Sequence, residues 1–220
     1  DKSVRIKLAN IKDIFVQCWP LFLALFLYNL IDSLPKFAME GTLSYSNQLY
    51  FNAIYFPAHT ILMISTLIYR PQLFKLASLL ETSIHNPANK KRFGVIVLAM
   101  FGAIAVVTIG TAAFVEIIGI PLNGFLYGVD FEQYRGLARI MVATGGLCAA
   151  IDFLYQLITI MRVQKAVTRA YLISFAVSIP IIWMMVSFTG LNGAVIGSFS
   201  SILILFLLLI SEYAVVRLKG

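Results

Sequence analysis

The segment FGVIVLAMFGAIAVVTIGTAAFVEII, residues 93–118, indicates that this chain is built for a lipid bilayer, because it is long, apolar and almost free of charge. Its single charged side chain, Glu116, lies near one end. A membrane-spanning helix needs about 20 apolar residues, so this segment is long enough to cross. The rest of the chain is similar, since 60% of its 220 residues are hydrophobic and only 12% are charged. This composition excludes a disordered chain, a coiled coil and an ordinary soluble enzyme.

Five further apolar segments predict an all-α integral membrane protein with six transmembrane helices. A soluble helical bundle is excluded because these segments lack polar outer faces. Pro20, Pro57 and Pro180 fall inside spans, where neighbouring helices can satisfy the freed carbonyl groups. We expect one membrane domain over residues 18–220, with spans at 18–34, 49–69, 93–118, 137–160, 170–188 and 194–216.

The basic residues alternate between the two ends of these spans. Fourteen of the 17 Lys and Arg residues fall in the N-terminal segment, the loops after the second and fourth spans, and the C-terminal tail. We call this end the basic side and the opposite end the sparsely charged side. Positive residues favour the cytoplasmic face, so the pattern predicts that both termini are cytoplasmic. The net charge of +7 is thereby assigned to topology, and nucleic acid is not expected as a partner.

Two stretches outside the spans have amphipathic spacing. Residues 1–17 place apolar side chains from Val4 to Phe15 at helical intervals among basic ones, which predicts a helix lying on the membrane surface. Residues 72–82, after Pro71, have a similar pattern. The alternative for both stretches is a simple extension of the neighbouring span beyond the bilayer.

Polar side chains inside the spans follow helical periodicity. On the fourth span, Asp152, Tyr155 and Gln156 share one face that continues to Arg162. Ionisable groups in hydrocarbon usually face protein or water, so we predict a hydrated cavity lined by the first, second and fourth spans. The alternative is hydrogen bonding between helices without any substrate. The other candidates for this cavity are Asn29 and Asp32 on the first span and Asn52, Tyr55 and His59 on the second.

Small residues and two glutamates occupy other positions in the spans. Gly193, Gly197 and Ser201 on the sixth span have the spacing that lets another helix approach closely, so they predict a packing seam. Glu116 and Glu212 lie near helix ends, where we expect the side chains to extend to water.

Catalytic and metal-binding motifs are missing from the sequence. It has no GxxxxGK[ST] phosphate loop, no HExxH zinc motif and no GxSxG elbow. His59 and His85 are too few for a zinc site, and Cys18 and Cys148 are isolated in apolar stretches. We therefore expect no enzyme, metal or cofactor, and an intramembrane enzyme is the least favoured alternative.

Four segments carry a family resemblance. They are LPKFAMEGTLSYSNQLYFNAIYFPAHTILMISTLIYRPQLFKLA (34–77), LYGVDFEQYRGLARIMVATG (126–145), FLYQLITIMRVQKAV (153–167) and GLNGAVIGS (190–198). Together they resemble the second half of bacterial polysaccharide flippases. These are the O-antigen and teichoic-acid exporters of the MATE-like multidrug/oligosaccharidyl-lipid/polysaccharide superfamily.

The resemblance implies a protein of two six-helix lobes around a central cavity, in the bacterial plasma membrane. This chain has the length of one lobe, so the other comes from a missing N-terminal lobe or from a second copy. The implied substrate is an oligosaccharide linked to a polyprenyl pyrophosphate, which is flipped across the lipid bilayer by alternating access.

Such a substrate needs cations for its phosphates and polar or aromatic groups for its sugars. Candidate phosphate contacts are Arg70 and Arg162 on the basic side and Lys36 and Arg139 on the other. The alternative is that these four set the topology or contact lipid headgroups. The candidate sugar contacts are Asn52, Tyr55, Tyr155 and Gln156.

Two other functions stay open. A cation-coupled multidrug exporter of the same superfamily would bind organic cations through Asp32 or Asp152. A non-transporting membrane scaffold of cell-envelope synthesis would depend on the seam at Gly193 instead. Coupling to an ion gradient through Asp152 or His59 is compatible with either transport function.

Overall fold

A computed structural model describes residues 8–83, 86–128 and 130–219, and its regular secondary structure in those ranges is entirely helical. His85 and residues 1–7, where the predicted surface helix starts, lie outside the described residues. The helices are α1 (Leu8–Met39), α2 (Tyr45–Ser83), α3 (Pro87–Phe114), α4 (Ile120–Tyr127), α5 (Arg135–Ile160), α6 (Gln164–Thr189) and α7 (Leu191–Lys219), with a π-helical turn (Val115–Gly119) after α3 and a 3₁₀ turn (Glu132–Tyr134) before α5.

Within the described ranges, six helical segments are long and apolar enough to cross a membrane. They match the predicted spans, with α3, the π-helical turn and α4 forming the third. The prediction of an all-helical chain with six such segments is confirmed. At a rise of about 1.5 Å per residue, α2 is about 58 Å long, whereas the hydrocarbon core is about 30 Å thick. An end of α2 therefore extends beyond the bilayer.

Several helices are longer than predicted. α1 runs unbroken from Leu8 through Pro20, so residues 8–17 extend the first span and do not form a separate helix. α2 continues through Pro71 in the same way, so residues 72–82 extend the second span. A proline removes one backbone hydrogen bond without ending a helix whose neighbours hold it in place. Over residues 8–17 and 72–82, the extension is the one of the two alternatives that forms.

The third span also exceeds its predicted bounds at both ends. Asn86 caps the start of α3, where its side chain accepts a hydrogen bond of 2.9 Å from the Ala88 amide. Gly128 ends α4 in the left-handed conformation, with φ of 65°. Between them, the π-helical turn precedes Pro121, which lies in the first turn of α4 where an N–H is least needed.

α5 is the central helix of the bundle. It packs against α2, α3 and α7, and most of its side chains are buried. α6 packs between α1 and α7. α1 and α2 are consecutive in the chain but make little contact with each other. The bundle is therefore loosely packed between α1 and α2, where polar side chains meet.

Glycines allow the closest approaches between helices. A Cβ atom added to Gly145 of α5 would lie 2.5 Å from the Ala58 Cα of α2. A Cβ atom added to Gly193 of α7 would lie 1.9 Å from the Met185 carbonyl oxygen of α6, whereas one at Gly197 would meet its nearest neighbours at 3.4 Å. Close van der Waals contact is a main source of helix association in membranes, so these glycines fix the packing of α5 and α7.

Candidate functional site

Four polar side chains form a cluster between α1 and α2, and we call Asp32, Lys36, Tyr55 and His59 the α1–α2 cluster. The Tyr55 hydroxyl donates a hydrogen bond of 2.6 Å to Asp32 Oδ1. Lys36 Nζ lies 5.0 Å from the centre of the Tyr55 ring, a cation–π distance. The His59 ring centre is 6.4 Å from that of Tyr55, one helical turn along α2. Tyr55 therefore binds a carboxylate through its hydroxyl and a cation through its ring.

A second cluster joins α2 to α5, and we call Thr66, Tyr69 and Asp152 the α2–α5 cluster. The buried Tyr69 hydroxyl donates a hydrogen bond to Asp152 Oδ2. The Thr66 hydroxyl oxygen lies 3.3 Å from the Tyr69 oxygen. The Tyr69 ring is held by Phe153, with 5.2 Å between the ring centres. The half-buried carboxylate of Asp152 is thus anchored to α2 by a neutral donor and not by a cation.

Three tyrosines link α1 to α5 through α6. The Tyr171 ring of α6 meets the Tyr28 ring of α1 and the Tyr155 ring of α5, each edge to face with 6.3 Å between centres. Tyr155 is one turn from Asp152 on α5, and Tyr28 lies beside the buried Cys148. The three tyrosine rings therefore form a continuous row of aromatic contacts from α1 through α6 to α5.

Asp32 and Asp152 each accept a hydrogen bond from a tyrosine hydroxyl of α2. In the part of the chain that the structure describes, neither Asp32 nor Asp152 takes part in an ion pair. A carboxylate at membrane depth without a fixed cation attracts a proton or a mobile cation. Among the same described residues, no three metal-ligating side chains lie together in a group that could hold a metal ion.

The remaining cavity candidates are spread out. Gln156 is half-buried on α5, one turn from Asp152. Asn29 is exposed, and its amide nitrogen donates a hydrogen bond of 2.8 Å to the Leu25 carbonyl of its own helix. Asn52 is exposed and lines a different groove, so the structure does not bring it together with Tyr55 in one cavity.

That groove lies between α2 and the third span and has a volume of about 460 Å³. Its walls are mainly apolar, with Phe56 of α2 opposite Phe114 and Leu122. Asn52 and Asn123 add amide groups to the lining. Asn52 lies at the edge of the polar face of α2, and the packing of α3 and α4 determines on which side it falls.

Arg139 belongs to an ion-pair cluster on the sparsely charged side, which we call the rim cluster. Glu116 Oε1 lies 2.6 Å from Arg135 and 2.6 Å from Arg139. Arg135 also pairs with Glu132 at 2.7 Å. The Glu116 side chain, which we expected to extend to water, is instead held between two guanidinium groups. Arg139, a predicted phosphate contact, is 64% exposed but already has an anionic partner.

The two predicted phosphate contacts on the basic side are exposed. Arg70 lies on α2 directly after Tyr69. Arg162 follows the end of α5 in the left-handed conformation, with φ of 61°, which is uncommon for a residue other than glycine. Its amide donates a hydrogen bond of 3.0 Å to the Thr159 carbonyl, as in a Schellman cap. Arg162 therefore ends α5, and its exposed side chain lies at that end of the helix.

The remaining predicted positions lie on α7, where one residue forms an ion pair and a row of small residues packs against α6. Glu212 pairs with Arg169 of α6 and does not simply extend to water. Ser201 is fully buried, in line with Gly193 and Gly197 on the face of α7 that meets α6. The small side chains thus lie where the sequence placed a packing seam.

Sequence reasoning missed the tyrosines. Tyr28, Tyr69 and Tyr171 were not among the predicted site residues. Tyr69 had a usable signal, because it lies three residues after Thr66 on the polar face of α2. Tyr28 and Tyr171 had none, because their roles depend on the contact between α1 and α6.

Comparison of the chain with protein-family models, with curated proteins and with solved structures returns no match. The fold itself gives the class. Its six apolar helices, counted over the described ranges, indicate a multi-pass membrane protein.

Proposed function

We propose that the chain is one lobe of a transporter that flips a lipid-linked oligosaccharide across the bacterial plasma membrane by alternating access. The resemblance of residues 34–77 and 126–145 to polysaccharide flippases supports this substrate class. The concentration of Lys and Arg on the basic side supports a topology with both termini in the cytoplasm.

The observation that carries the proposal is the exposure of polar side chains at membrane depth. Asn29 and His59 are exposed on α1 and α2, well inside segments apolar enough to span a bilayer. Polar groups in spans avoid lipid and face protein or water. A second lobe across a hydrated cavity supplies both, whereas a single lobe in lipid supplies neither.

An aromatic stripe on α1 supports a protein partner for this lobe. Phe15, Trp19, Phe22 and Phe26 are all exposed and contact one another in sequence, with 5.5 to 6.3 Å between successive ring centres. The stripe leads at helical spacing to the exposed Asn29. A row of rings that ends in an amide suits a second lobe better than hydrocarbon, because a partner can satisfy the hydrogen-bonding capacity that remains after the Asn29 bond to Leu25.

In this proposal the two clusters have different tasks. Tyr55 and Lys36 contact the sugar and pyrophosphate of the substrate, and Gln156 lines the path further along, whereas Tyr155 is buried against Tyr171. The Asp32–Tyr55 and Asp152–Tyr69 hydrogen bonds tie α2 to α1 and to α5. Binding of a proton or cation to either carboxylate weakens its bond to tyrosine and lets α2 move between the two access states.

A cation-coupled multidrug exporter is the second candidate, and one observation favours it. Asp32 and Asp152 are both without an ion pair among the described residues, and an organic cation would neutralise either one. This candidate uses the carboxylates to bind the substrate itself.

Transport by the full-length native protein in liposomes separates these two functions. We would measure, in parallel, the transfer of a fluorescent polyprenyl-diphosphate oligosaccharide between leaflets and the accumulation of a cationic dye. The flippase transfers the first and not the second, and the exporter does the reverse. Activity toward neither substrate would contradict both proposals.

A cysteine at Asn29 tests whether this face meets a second lobe. In a background of Cys18→Ser and Cys148→Ala, Asn29→Cys should cross-link to another protein segment in native membranes. A cross-linked dimer of identical chains identifies a second copy, and a link to a different segment identifies a missing lobe. Ile109→Cys, on the 70% exposed face of α3, is the matched control and should stay unlinked. Equal behaviour of the two cysteines would contradict the lobe proposal.

A further inference from the structure

A basic groove lies on the basic side, between the extension of α2 and the start of α3. Its volume is about 400 Å³. Lys75 lines it from α2, and Lys91 and Arg92 line it from α3. Among the described residues that line it, none is acidic. Three cations from two helices thus converge on one concave site.

These cations are available to a ligand. In the described part of the chain, Lys75, Lys91 and Arg92 take part in no ion pair, and all three are exposed. Other arginines of the chain are already neutralised: Arg135 pairs with Glu116, and Arg169 pairs with Glu212. Like charges held close together repel each other, so this groove is stabilised by an anion.

The groove is fixed in shape where the two helices meet. The Asn89 amide of α3 donates a hydrogen bond of 3.0 Å to the Thr82 hydroxyl of α2. Asn86 caps the start of α3 and so holds its first turn. Both contacts hold the two helices that carry the basic residues in place relative to each other, which lowers the entropy lost when a ligand binds.

The apolar part of the groove leads into the membrane. Leu79, Val95 and Ile96 line it beside the cations. Arg92 is followed directly by the apolar segment 93–118, and Val95 is 66% exposed on its outer surface. A ligand that fits this arrangement has an anionic head at the membrane boundary and an apolar tail along α3.

We propose that this groove binds the headgroup of an anionic phospholipid of the surrounding bilayer, with a preference for a lipid that carries two phosphates. Basic grooves between membrane helices recognise such headgroups through several cations at once. None of the residues that line the groove belongs to the α1–α2 cluster. This inference is independent of the transported substrate.

The groove also differs from a second basic pocket on the same side. That pocket, between α6 and α7, has Lys165 and Arg169 in its lining, but Arg169 is paired with Glu212 within it. Its charge is therefore partly neutralised by the protein, and it offers an internal comparison for any lipid effect.

Native mass spectrometry of the full chain in detergent, titrated with cardiolipin or phosphatidylcholine, tests the proposal. Each cation at a membrane surface contributes about a fivefold gain in anionic-lipid binding, so Lys75→Gln/Lys91→Gln should weaken cardiolipin binding about thirtyfold. Lys90→Gln/Lys165→Gln removes the same charge from outside the groove and should have a much smaller effect. Lys91→Arg should bind as the native chain does, because it keeps the cation.

Four outcomes would overturn the proposal. Equal losses in the two double variants would show diffuse attraction and no site. Displacement of cardiolipin by millimolar inorganic phosphate would show a free-anion site. Tighter binding of a polyprenyl diphosphate, lost in the same variant, would make the groove part of the substrate path. A folded Lys91→Arg variant that loses cardiolipin binding would show that charge is not what the groove supplies.

Discussion

Tyr69 on α2 donates a hydrogen bond to the carboxylate of Asp152 on α5, 83 positions further along the chain. The tyrosine is almost fully buried and the carboxylate is half-buried. The donor is neutral, and Asp152 takes part in no ion pair in the described part of the chain. The bond therefore connects helix packing directly to the group that is best placed to bind a proton or cation.

We predict that Tyr69→Phe weakens the association of α2 with α5. The substitution keeps the ring against Phe153 but removes the hydroxyl that Asp152 accepts from. Side-chain hydrogen bonds between membrane helices contribute about 1 kcal/mol, so the free energy of unfolding should fall by about that amount. Unfolding in a denaturing detergent, followed by circular dichroism, measures it. Tyr45→Phe, at an 83% exposed position, is the control, and equal losses in both variants would refute the prediction.

We predict that Gly145→Ala destabilises the bundle much more than Gly102→Ala. A Cβ atom at Gly145 would lie 2.5 Å from the Ala58 Cα and 2.7 Å from its carbonyl oxygen, and a backbone cannot rotate away. The free energy of unfolding should fall by about 1 to 3 kcal/mol. Nothing lies within 4 Å of a Cβ atom at Gly102, so alanine there should stabilise the helix slightly. Thermal unfolding in detergent gives both values, and a neutral Gly145→Ala would contradict the packing.

The seam between α6 and α7 predicts a ranking of two substitutions. Gly193→Ala places a Cβ atom 1.9 Å from the Met185 carbonyl oxygen, whereas Gly197→Ala meets Ile182 only at 3.4 Å. Gly193→Ala should therefore reduce the yield of folded protein strongly, and Gly197→Ala should reduce it little. Expression level and monodispersity in detergent measure both. The reverse order would mean that α6 and α7 are packed differently.

The rim cluster predicts a local, salt-dependent effect. Glu116 lies in the π-helical turn, and Glu116→Gln removes the anion that Arg135 and Arg139 share. Hydrogen exchange over residues 115–127 should become faster, and the difference should shrink at high salt, which screens the two cations. Glu132→Gln is the control, because Glu132 pairs with Arg135 alone. No difference between the variants at low salt would exclude a role for Glu116 in holding this turn.

The sequence was enough to predict the six spans but not the points where the helices end. Apolar segments such as residues 93–118 require a bilayer whatever their neighbours do. The ends depend on local features that hydropathy does not report, such as the cap at Asn86 and the left-handed Gly128. Pro71 looked like a natural boundary and yet lies inside a continuous helix.

The site was predictable one helix at a time. Periodicity placed Asp152 and Gln156 on one face of α5 because that relationship is fixed by the helix itself. It did not show that Tyr69 faces Asp152, because that pairing depends on how α2 packs against α5. It also grouped Asn52 with Tyr55, although Asn52 lines another groove, which α2 forms with the third span.

Asp152→Asn in the full-length native protein, assayed for leaflet-to-leaflet transfer of the lipid-linked oligosaccharide, tests the central claim most directly. Asparagine keeps the shape and an acceptor for Tyr69 but removes the charge. Asp130→Asn is the matched control, because Asp130 is exposed outside the spans and asparagine can still accept from the Glu132 amide. The account predicts that Asp152→Asn lowers transfer at least tenfold with normal membrane insertion, about 1.4 kcal/mol or more, while Asp130→Asn transfers normally. Unchanged transfer by a correctly inserted Asp152→Asn variant would contradict it.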